Sequence, residues 1–336
     1  MKVLHIGPKN FPPCHGGVER VVYDLARFMP DVQSHVLIEW PQDRLPDRVR
    51  LLPKGLMRQF RMARDYAVEN SIDIIHVHKE AFLPLGLLLK MSGLKCVATI
   101  HGCPWRLARW PLAIRAAFFA LDCLASCCLD RTVFVGLYDW RLFAKLFPRG
   151  RTAFVPNGVE VSLEPSPDRR SGSVYLGRLS PEKNIAALAK AADQAHVRLD
   201  LYGPFDRRDK ALREELLSLV TTSKWITWHG PVPADQVRNV LRRYKIFMNA
   251  SLAEGMPVSV LEAAAEGLHL VLSDIPQHRT LQMPGCTYVD ARKIDLRRLP
   301  TNGQAGGEQN RAHVAGNFSI SNTVKAYRDI YRKIML

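Results

Sequence analysis

The sequence lacks the features that would announce a membrane protein, a metalloprotein or a dinucleotide enzyme. No apolar run reaches the roughly 20 residues needed to span a bilayer. The opening Met1-Lys2-Val3-Leu4-His5-Ile6-Gly7 turns polar too soon for a signal peptide and reads instead as a first β-strand, which points to the cytoplasm. The seven cysteines form an odd set without a C-x-x-C pair, so neither a zinc site nor a disulfide framework is expected; Cys123, Cys127 and Cys128 fall in an apolar helical stretch as small hydrophobes. G-x-G-x-x-G follows none of the expected strands, and no obvious Asp-x-Asp pair offers itself to a divalent ion. Acidic residues are the scarce charge: 32 Asp and Glu against 47 Lys and Arg give +15. No zinc finger, RNP-type sequence or basic region accompanies that charge, so nucleic acid is not expected.

At 336 residues the chain exceeds one comfortable core, and two domains are the default. Strand-like and helix-like runs alternate throughout, which argues for parallel sheets covered by helices on both faces. Strands are predicted over 2–6, 34–38, 72–77, 95–100, 132–135 and 153–155, and helices over 17–29, 57–70, 81–92, 111–129 and 138–146. A second series places strands at 173–176, 197–202, 226–228, 246–250 and 269–273. Its helices are predicted at 182–195, 207–221, 234–243 and 258–266. The polar loop 157–172 reads as the seam between the two. A polar stretch, 301–309, precedes a last helix over 321–335. The expected domains are therefore 1–156 and 157–316, with 317–336 as a closing helix.

In doubly wound sheets ligands bind beyond the carboxyl ends of the strands. The informative motifs fall there. Gly16-Gly17 open a helix after the first strand, where backbone can approach a phosphate. His101-Gly102 follows the fourth strand. Arg178 and Lys183, five apart after the first strand of the second half, would set two cations over an anion; the plainer reading is surface charge. His229-Gly230 ends a further strand. Glu254-Gly255-Met256-Pro257-Val258 leads from strand to helix, with Pro257 at the helix start and Glu262 further along it. Free N–H groups there, with the helix dipole, make an anion site flanked by two acids. Taken alone, two acids near a helix start are ordinary.

Together these residues resemble the retaining glycosyltransferases of family 4 (glycosyl transferases group 1). The resemblance runs through Gly16-Gly17-Val18-Glu19-Arg20, the His76/His78 strand, His101-Gly102, Val155-Pro156-Asn157-Gly158, Gly177-Arg178 with Lys183, His229-Gly230 and the Glu254/Glu262 pair. It implies the GT-B fold: α/β, two facing Rossmann-like domains with doubly wound parallel sheets, and a C-terminal helix crossing back to the first domain. It also implies transfer of a sugar from a nucleotide-diphosphate donor to a glycan or lipid-linked acceptor in cell-surface polysaccharide or glycolipid synthesis. By resemblance, Arg178 and Lys183 bind the donor diphosphate, Gly16 and Gly17 let their loop close on it, and His229 and Gly230 border the base. Glu262 takes the ribose hydroxyls. Glu254 takes the sugar, aided by backbone around Gly255, Met256 and Val258, and His101 assists at the acceptor face. Two fixed cations and a helix dipole suffice to neutralise the leaving group, so no metal and no other cofactor is expected.

Departures from the family pattern are Pro257 in place of a common Gly, Gly136-Leu137 where Ser is frequent, and His269 for a common Pro. Gly255-Met256-Pro257 resembles members that use UDP-sugars. An epimerase of the same fold, or a sugar-binding or membrane-assembly module without catalysis, are the alternatives. Residues 105–119 mix Arg, Trp and Phe, and two readings stay open: an amphipathic face resting on anionic lipid at the inner face of the membrane, or a helix packing Trp and Phe inward with its arginines solvated.

Overall fold

The computed structural model describes residues 1–13, 16–107, 110–147, 151–161, 171–206, 209–297, 299 and 304–336, leaving aside the side chains of 304 and 305. The chain divides into two compact units, Met1–Gly158 with Ile320–Leu336, and Val159–Ser319. The sequence reading put the divisions after 156 and 316.

The first unit is built on seven parallel strands: β1 Lys2–Ile6, β2 Gln33–Ile38, β3 Val49–Leu51, β4 Ile74–His78, β5 Cys96–Ile100, β6 Arg131–Phe134 and β7 Thr152–Phe154. Their order is β3-β2-β1-β4-β5-β6-β7, so the winding reverses between β1 and β4. Both faces are covered, and β4 and β5 are buried at every position. The two-residue period of a strand sorts the side chains between the faces. Leu4, Ile6, Ile75, Val77, Ala98 and Ile100 join the core formed with helices Leu56–Glu69, Leu83–Met91, Leu112–Cys128 and Leu137–Leu146. Val3, Ile74, Val97 and Val133 pack on the opposite face, under helices Gly17–Phe28 and Ile320–Met335, which contribute Val21, Leu25, Val324, Tyr327 and Tyr331. On that second face, in step with Val3, Ile74 and Val97, stand His5, His76, His78 and Thr99.

The second unit carries six parallel strands: β8 Ser173–Leu176, β9 Leu199–Tyr202, β10 Ile226–Trp228, β11 Ile246–Asn249, β12 His269–Ser273 and β13 Cys286–Val289. They run in the order β10-β9-β8-β11-β12-β13, and the reversal lies between β8 and β11. Two doubly wound parallel sheets thus match the fold class expected from the alternation of runs.

Several elements depart from expectation. The short edge strands β3 and β13 and the four-residue helix Pro276–Arg279 were not foreseen, being too brief to show a period. The predicted helix 81–92 is a 3₁₀ turn, Glu80–Phe82, followed by Leu83–Met91, and 234–243 contracts to Val237–Leu241. Pro257 caps its helix rather than beginning it; the helix runs Val258–Ala265. The largest correction is the helix Gln304–Asn317, which starts inside the expected polar stretch 301–309 and was not read as a helix. Its Gly306 and Gly307 lie close against neighbouring backbone: a Cβ on Gly307 would sit 2.0 Å from the Gly267 carbonyl oxygen, one on Gly306 3.0 Å from the Gly285 Cα, and one on Gly285 1.9 Å from the Gly306 carbonyl oxygen. Asn310, fully buried beside them, accepts from the Gly285 N–H (2.7 Å) and donates to the carbonyls of Leu268 (2.9 Å) and Gly285 (2.8 Å). Residues that disfavour helix are used here because only they permit this approach.

Candidate functional site

In the second unit the loops that follow β8 and β11, the two strands flanking the reversal, meet through side chains. After β8, Gly177 has a φ of 156° and the hydroxyl of Tyr175 donates to the Arg178 carbonyl at 2.9 Å. The neighbouring loop after β9 packs so closely that a Cβ on Gly203 would fall 1.8 Å from the Gly177 carbonyl oxygen. A 3₁₀ turn, Pro181–Lys183, then presents Lys183, and the Glu182 carbonyl accepts from the N–H of Leu252 in the loop after β11 (2.9 Å).

Lys183 and Glu254, 71 positions apart, form an ion pair: Nζ lies 2.6 Å from both carboxylate oxygens. The Glu254 side chain is 6% exposed and that of Lys183 21%. Ser251 donates to Glu254 Oε1 at 2.6 Å and Asn249 at 3.4 Å. Ser273 donates to the Ser251 carbonyl (2.6 Å), tying the loop to β12. Burial pushes the Glu254 carboxyl up, but the Lys183 ammonium, nearby His278 and the bonds from Lys183 and Ser251 more than reverse it, leaving the group below its ordinary value. His278 sits against the Ser273 carbonyl through Nδ1 (2.9 Å), while its buried Nε2 has no hydrogen-bond partner. Desolvation is the largest influence on this ring and lowers it from its ordinary value. Sequence reasoning missed Asn249, Ser251 and His278. The first two were legible, as small polar residues between a strand end and Glu254; His278 was not.

Arg178, predicted alongside Lys183, is 43% exposed and pairs with Glu182 at 2.9 Å, with Asp206 at 3.8 Å. Both predicted cations are therefore matched to carboxylates. The ring of His229 stacks on Tyr202 at 4.5 Å and 11°, its Nε2 3.3 Å from Asp200 Oδ1, and Gly230 beside it has a φ of 80°. Glu262 is half-buried on the helix Val258–Ala265 that begins just beyond Gly255 and Met256.

In the first unit, Gly16 (φ 112°) caps the helix that Gly17 begins. A Cβ at Gly16 would lie 2.1 Å from Glu19 Oε2, so the glycine makes room for a carboxylate folded back over the helix start. Glu19 Oε1 accepts from the Lys9 N–H at 2.9 Å and lies 3.3 Å from Lys79 Nζ, which also meets Glu39 at 2.6 Å. Cys14 and His15 of the same motif lie outside the described residues.

His101 follows β5 and continues the face that carries Thr99. Its Nε2 is 3.1 Å from His78 Nδ1, and His78 Nε2 is 3.0 Å from His5 Nδ1. His76, in register with His5, bonds Tyr331 through Nδ1 (2.6 Å) and Thr99 through Nε2 (2.7 Å). Burial holds all four rings far down: His5 and His101 to about 3, His76 and His78 well below their usual value. Among the described residues, His5, His76 and His78 are the group whose ligand atoms lie close enough, within 4.8 Å, to hold a metal ion. Both nitrogens of His76 are already engaged by hydroxyls, which favours hydrogen bonding over coordination there.

The segment 105–119 divides between its two readings. Trp105 packs inward on Phe119 (5.3 Å) and donates to Asp122 (2.9 Å). Arg106 stacks on Trp105 and Tyr138 and pairs with Asp139 at 2.6 Å, while Arg115 donates to the Trp105 carbonyl. Leu112 and Ile114 are exposed, at 77% and 39%. Ala108 and Arg109 lie outside the described residues. No helix among the described residues is long and apolar enough to cross a membrane.

Comparison with known proteins places these halves. Residues 15–163 match the model of Glycosyltransferase Family 4, and residues 170–293 that of Glycosyl transferases group 1. The chain is 25% identical over 309 residues to a GDP-mannose:cellobiosyl-diphosphopolyprenol alpha-mannosyltransferase of Xanthomonas oryzae pv. oryzae, covering 82% of this chain and 79% of that one. It is 24% identical over 325 residues to a UDP-Gal:alpha-D-GlcNAc-diphosphoundecaprenol alpha-1,3-galactosyltransferase of Escherichia coli, covering 82% and 80%. In structure it is similar to a sucrose-phosphate synthase from Thermosynechococcus elongatus, with a TM-score of 0.85 at 16% identity over 99% of this chain and 98% of that one.

Proposed function

The chain belongs to the glycosyltransferases of family 4, and from that membership we propose that it moves one sugar, with retention of configuration and without a metal ion, from a nucleotide-diphosphate donor to a lipid-linked glycan. The observation that carries this reading is the Lys183–Glu254 pair, built from the two loops at the reversal of the second sheet, where doubly wound folds take their ligands. Lys183 and Arg178 would neutralise the departing diphosphate, a contribution of the oxyanion-hole type. Glu262 would receive the ribose hydroxyls and Glu254 those of the sugar, with backbone of Gly255, Met256 and Val258 beside it. His229 and Gly230 would border the base. Gly16, Gly17 and His101 belong to the acceptor-side unit.

Retention through front-face attack accords with the state of Glu254. A carboxylate that accepts from Lys183 and Ser251 at 2.6 Å, and is held below its ordinary pKa, is a poor covalent nucleophile. Metal independence is inferred from Arg178 and Lys183, which would turn from their carboxylate partners, Glu182 and Glu254, to the leaving diphosphate. Activity unchanged by chelation is expected; loss restored by a divalent ion would overturn this part.

The two relatives take GDP-mannose and UDP-Gal, both with polyprenol-diphosphate-linked acceptors by their names. A UDP-sugar is favoured here from Gly255-Met256-Pro257, and a lipid-linked acceptor accords with the exposed Leu112 and Ile114 on a strongly basic chain, peripheral at the inner face of the membrane. Sedimentation with anionic liposomes at low salt is expected, and failure to sediment counts against the membrane part. Turnover of a panel of nucleotide sugars with polyprenol-diphosphate glycans tests the whole: an epimerase would convert donor without acceptor, and a binding module would turn over none.

A further inference from the structure

The three rings His5, His78 and His101 are joined end to end by the same kind of link, Nδ1 of one ring to Nε2 of the next (3.0 and 3.1 Å). They come from β1, β4 and the end of β5, on the sheet face beneath helix Ile320–Met335, and the first two strands flank the reversal of this sheet. A neutral imidazole has one N–H and one bare nitrogen, so a hydrogen bond at one end of a ring dictates what the other end must do. If His5 carries its hydrogen on Nδ1, it donates to His78 Nε2; His78 then carries its own on Nδ1, donates to His101 Nε2, and forces His101 to carry its hydrogen on Nδ1. The opposite direction puts all three hydrogens on Nε2. No mixed arrangement keeps both bonds. Desolvation of these rings removes the cationic alternative in which both nitrogens donate.

We propose that His5 and His78 are positioning residues that couple the neutral tautomer of His101 to their own, so that the three rings carry their hydrogens on the same kind of nitrogen and His101 Nδ1 meets substrate as donor or acceptor only in concert with the other two. This rests on the reading that His101 meets the reacting sugar or acceptor. His101 itself is the contacting residue; His78, buried, and His5, 1% exposed, act only through it. A ring tied to two others changes tautomer only if all three change together, whereas an isolated ring changes alone and can offer the wrong nitrogen to substrate. His76 supplies an internal control. Its partners, Tyr331 and Thr99, are hydroxyls able to donate or accept, so its tautomer is independent of the chain.

The test is the ¹⁵N signature of the ring nitrogens in the full-length protein at pH 7.5, assigned through single histidine variants. His5, His78 and His101 are expected to be neutral and to share one tautomer. One ring differing from the other two, or any of the three cationic, overturns the proposal from the wild-type spectrum alone. His78→Phe should then let the His101 tautomer differ from that of His5 and cut kcat about tenfold, one hydrogen bond's worth, at unchanged donor KM. His78→Asn, which sets an amide near the Nδ1 position, should restore part of kcat. A purely structural role for His78 would lower stability without moving the His101 tautomer. If the shared tautomer is found but no nucleotide sugar is turned over, the coupling stands and the functional reading fails; if transfer is found and His101→Ala leaves it unchanged, the role of His101 fails instead.

Discussion

Replacing Lys183 by Met removes the charge from the Lys183–Glu254 pair while keeping much of the side chain's volume. Glu254 then keeps its carboxylate 6% exposed with Ser251 and Asn249 as neutral donors and no counter-ion at 2.6 Å. Removing one partner of a buried pair costs about 3–5 kcal/mol, because the other charge stays uncompensated. Lys183 is a fifth exposed, which places the expected loss at the lower end, about 3 kcal/mol at pH 8. The loss must depend on pH. In the native protein the Glu254 carboxyl lies below its ordinary 4.5, so the pair's contribution is present above that value and disappears as the pH falls through the folded-state value. Without Lys183 the largest remaining influence is burial, which raises the carboxyl, so the variant loses stability as pH rises. The gap between the two proteins therefore widens from pH 5 to pH 8. Urea unfolding of both at these two pH values measures it. Adding Glu254→Gln to Lys183→Met should recover most of the stability and none of the transfer activity. A Lys183→Met protein as stable as the native one at pH 8, or a loss of equal size at both pH values, would refute the reasoning.

Glu262→Ala is expected to raise the donor KM by about tenfold or more, the worth of a charge-assisted hydrogen bond, with kcat little changed; steady-state kinetics giving native values for both would mean the ribose contact is misplaced. Asp122, fully buried, is pushed up to about 8, chiefly by burial and by Glu80. Its folded form holds a proton that the unfolded chain releases near 3.8, so it costs the protein about 1.4 kcal/mol per pH unit across much of that window as pH rises. Asp122→Asn should remove this slope and gain on the native protein from pH 5.5 to 7.5 in urea unfolding, and equal slopes would contradict the assignment. Gly307→Ala should lower the Tm despite alanine's better helix propensity of about 1 kcal/mol, because its Cβ would lie 2.0 Å from the Gly267 carbonyl oxygen; a raised Tm would show that the helix can shift away.

The core strands of both sheets and the positions of the motifs at their carboxyl ends were legible in the sequence. β8, β10 and β12 have the bounds read from the sequence, and in β12, buried at every position, the unbroken apolar run Leu270-Val271-Leu272 marks a strand covered on both faces. Long amphipathic helices such as Gly17–Phe28 and Ile320–Met335 were equally clear from their period. Family membership, too, was carried by local strings, each short enough to read without knowing what lay beside it.

What only the tertiary structure decided are relations between residues far apart in the chain. That Lys183 closes on Glu254 follows from β8 lying beside β11 and not from any local pattern. Helix Gln304–Asn317 was hidden because its glycines and Asn310 argue against helix by propensity, and their reason is the backbone of Gly267 and Gly285 against which they pack. The arginines of 105–119 looked available to lipid until Asp139 and the Trp105 carbonyl took two of them. His101 was visible as a histidine at a strand end, but His5 and His78 gained a meaning only when strand order set β1, β4 and β5 side by side and the two-residue period turned their rings to one face. Periodicity and composition report which side of an element is buried; which partner it is buried against is a property of the sheet order, and that is where the chemistry of this chain is assembled.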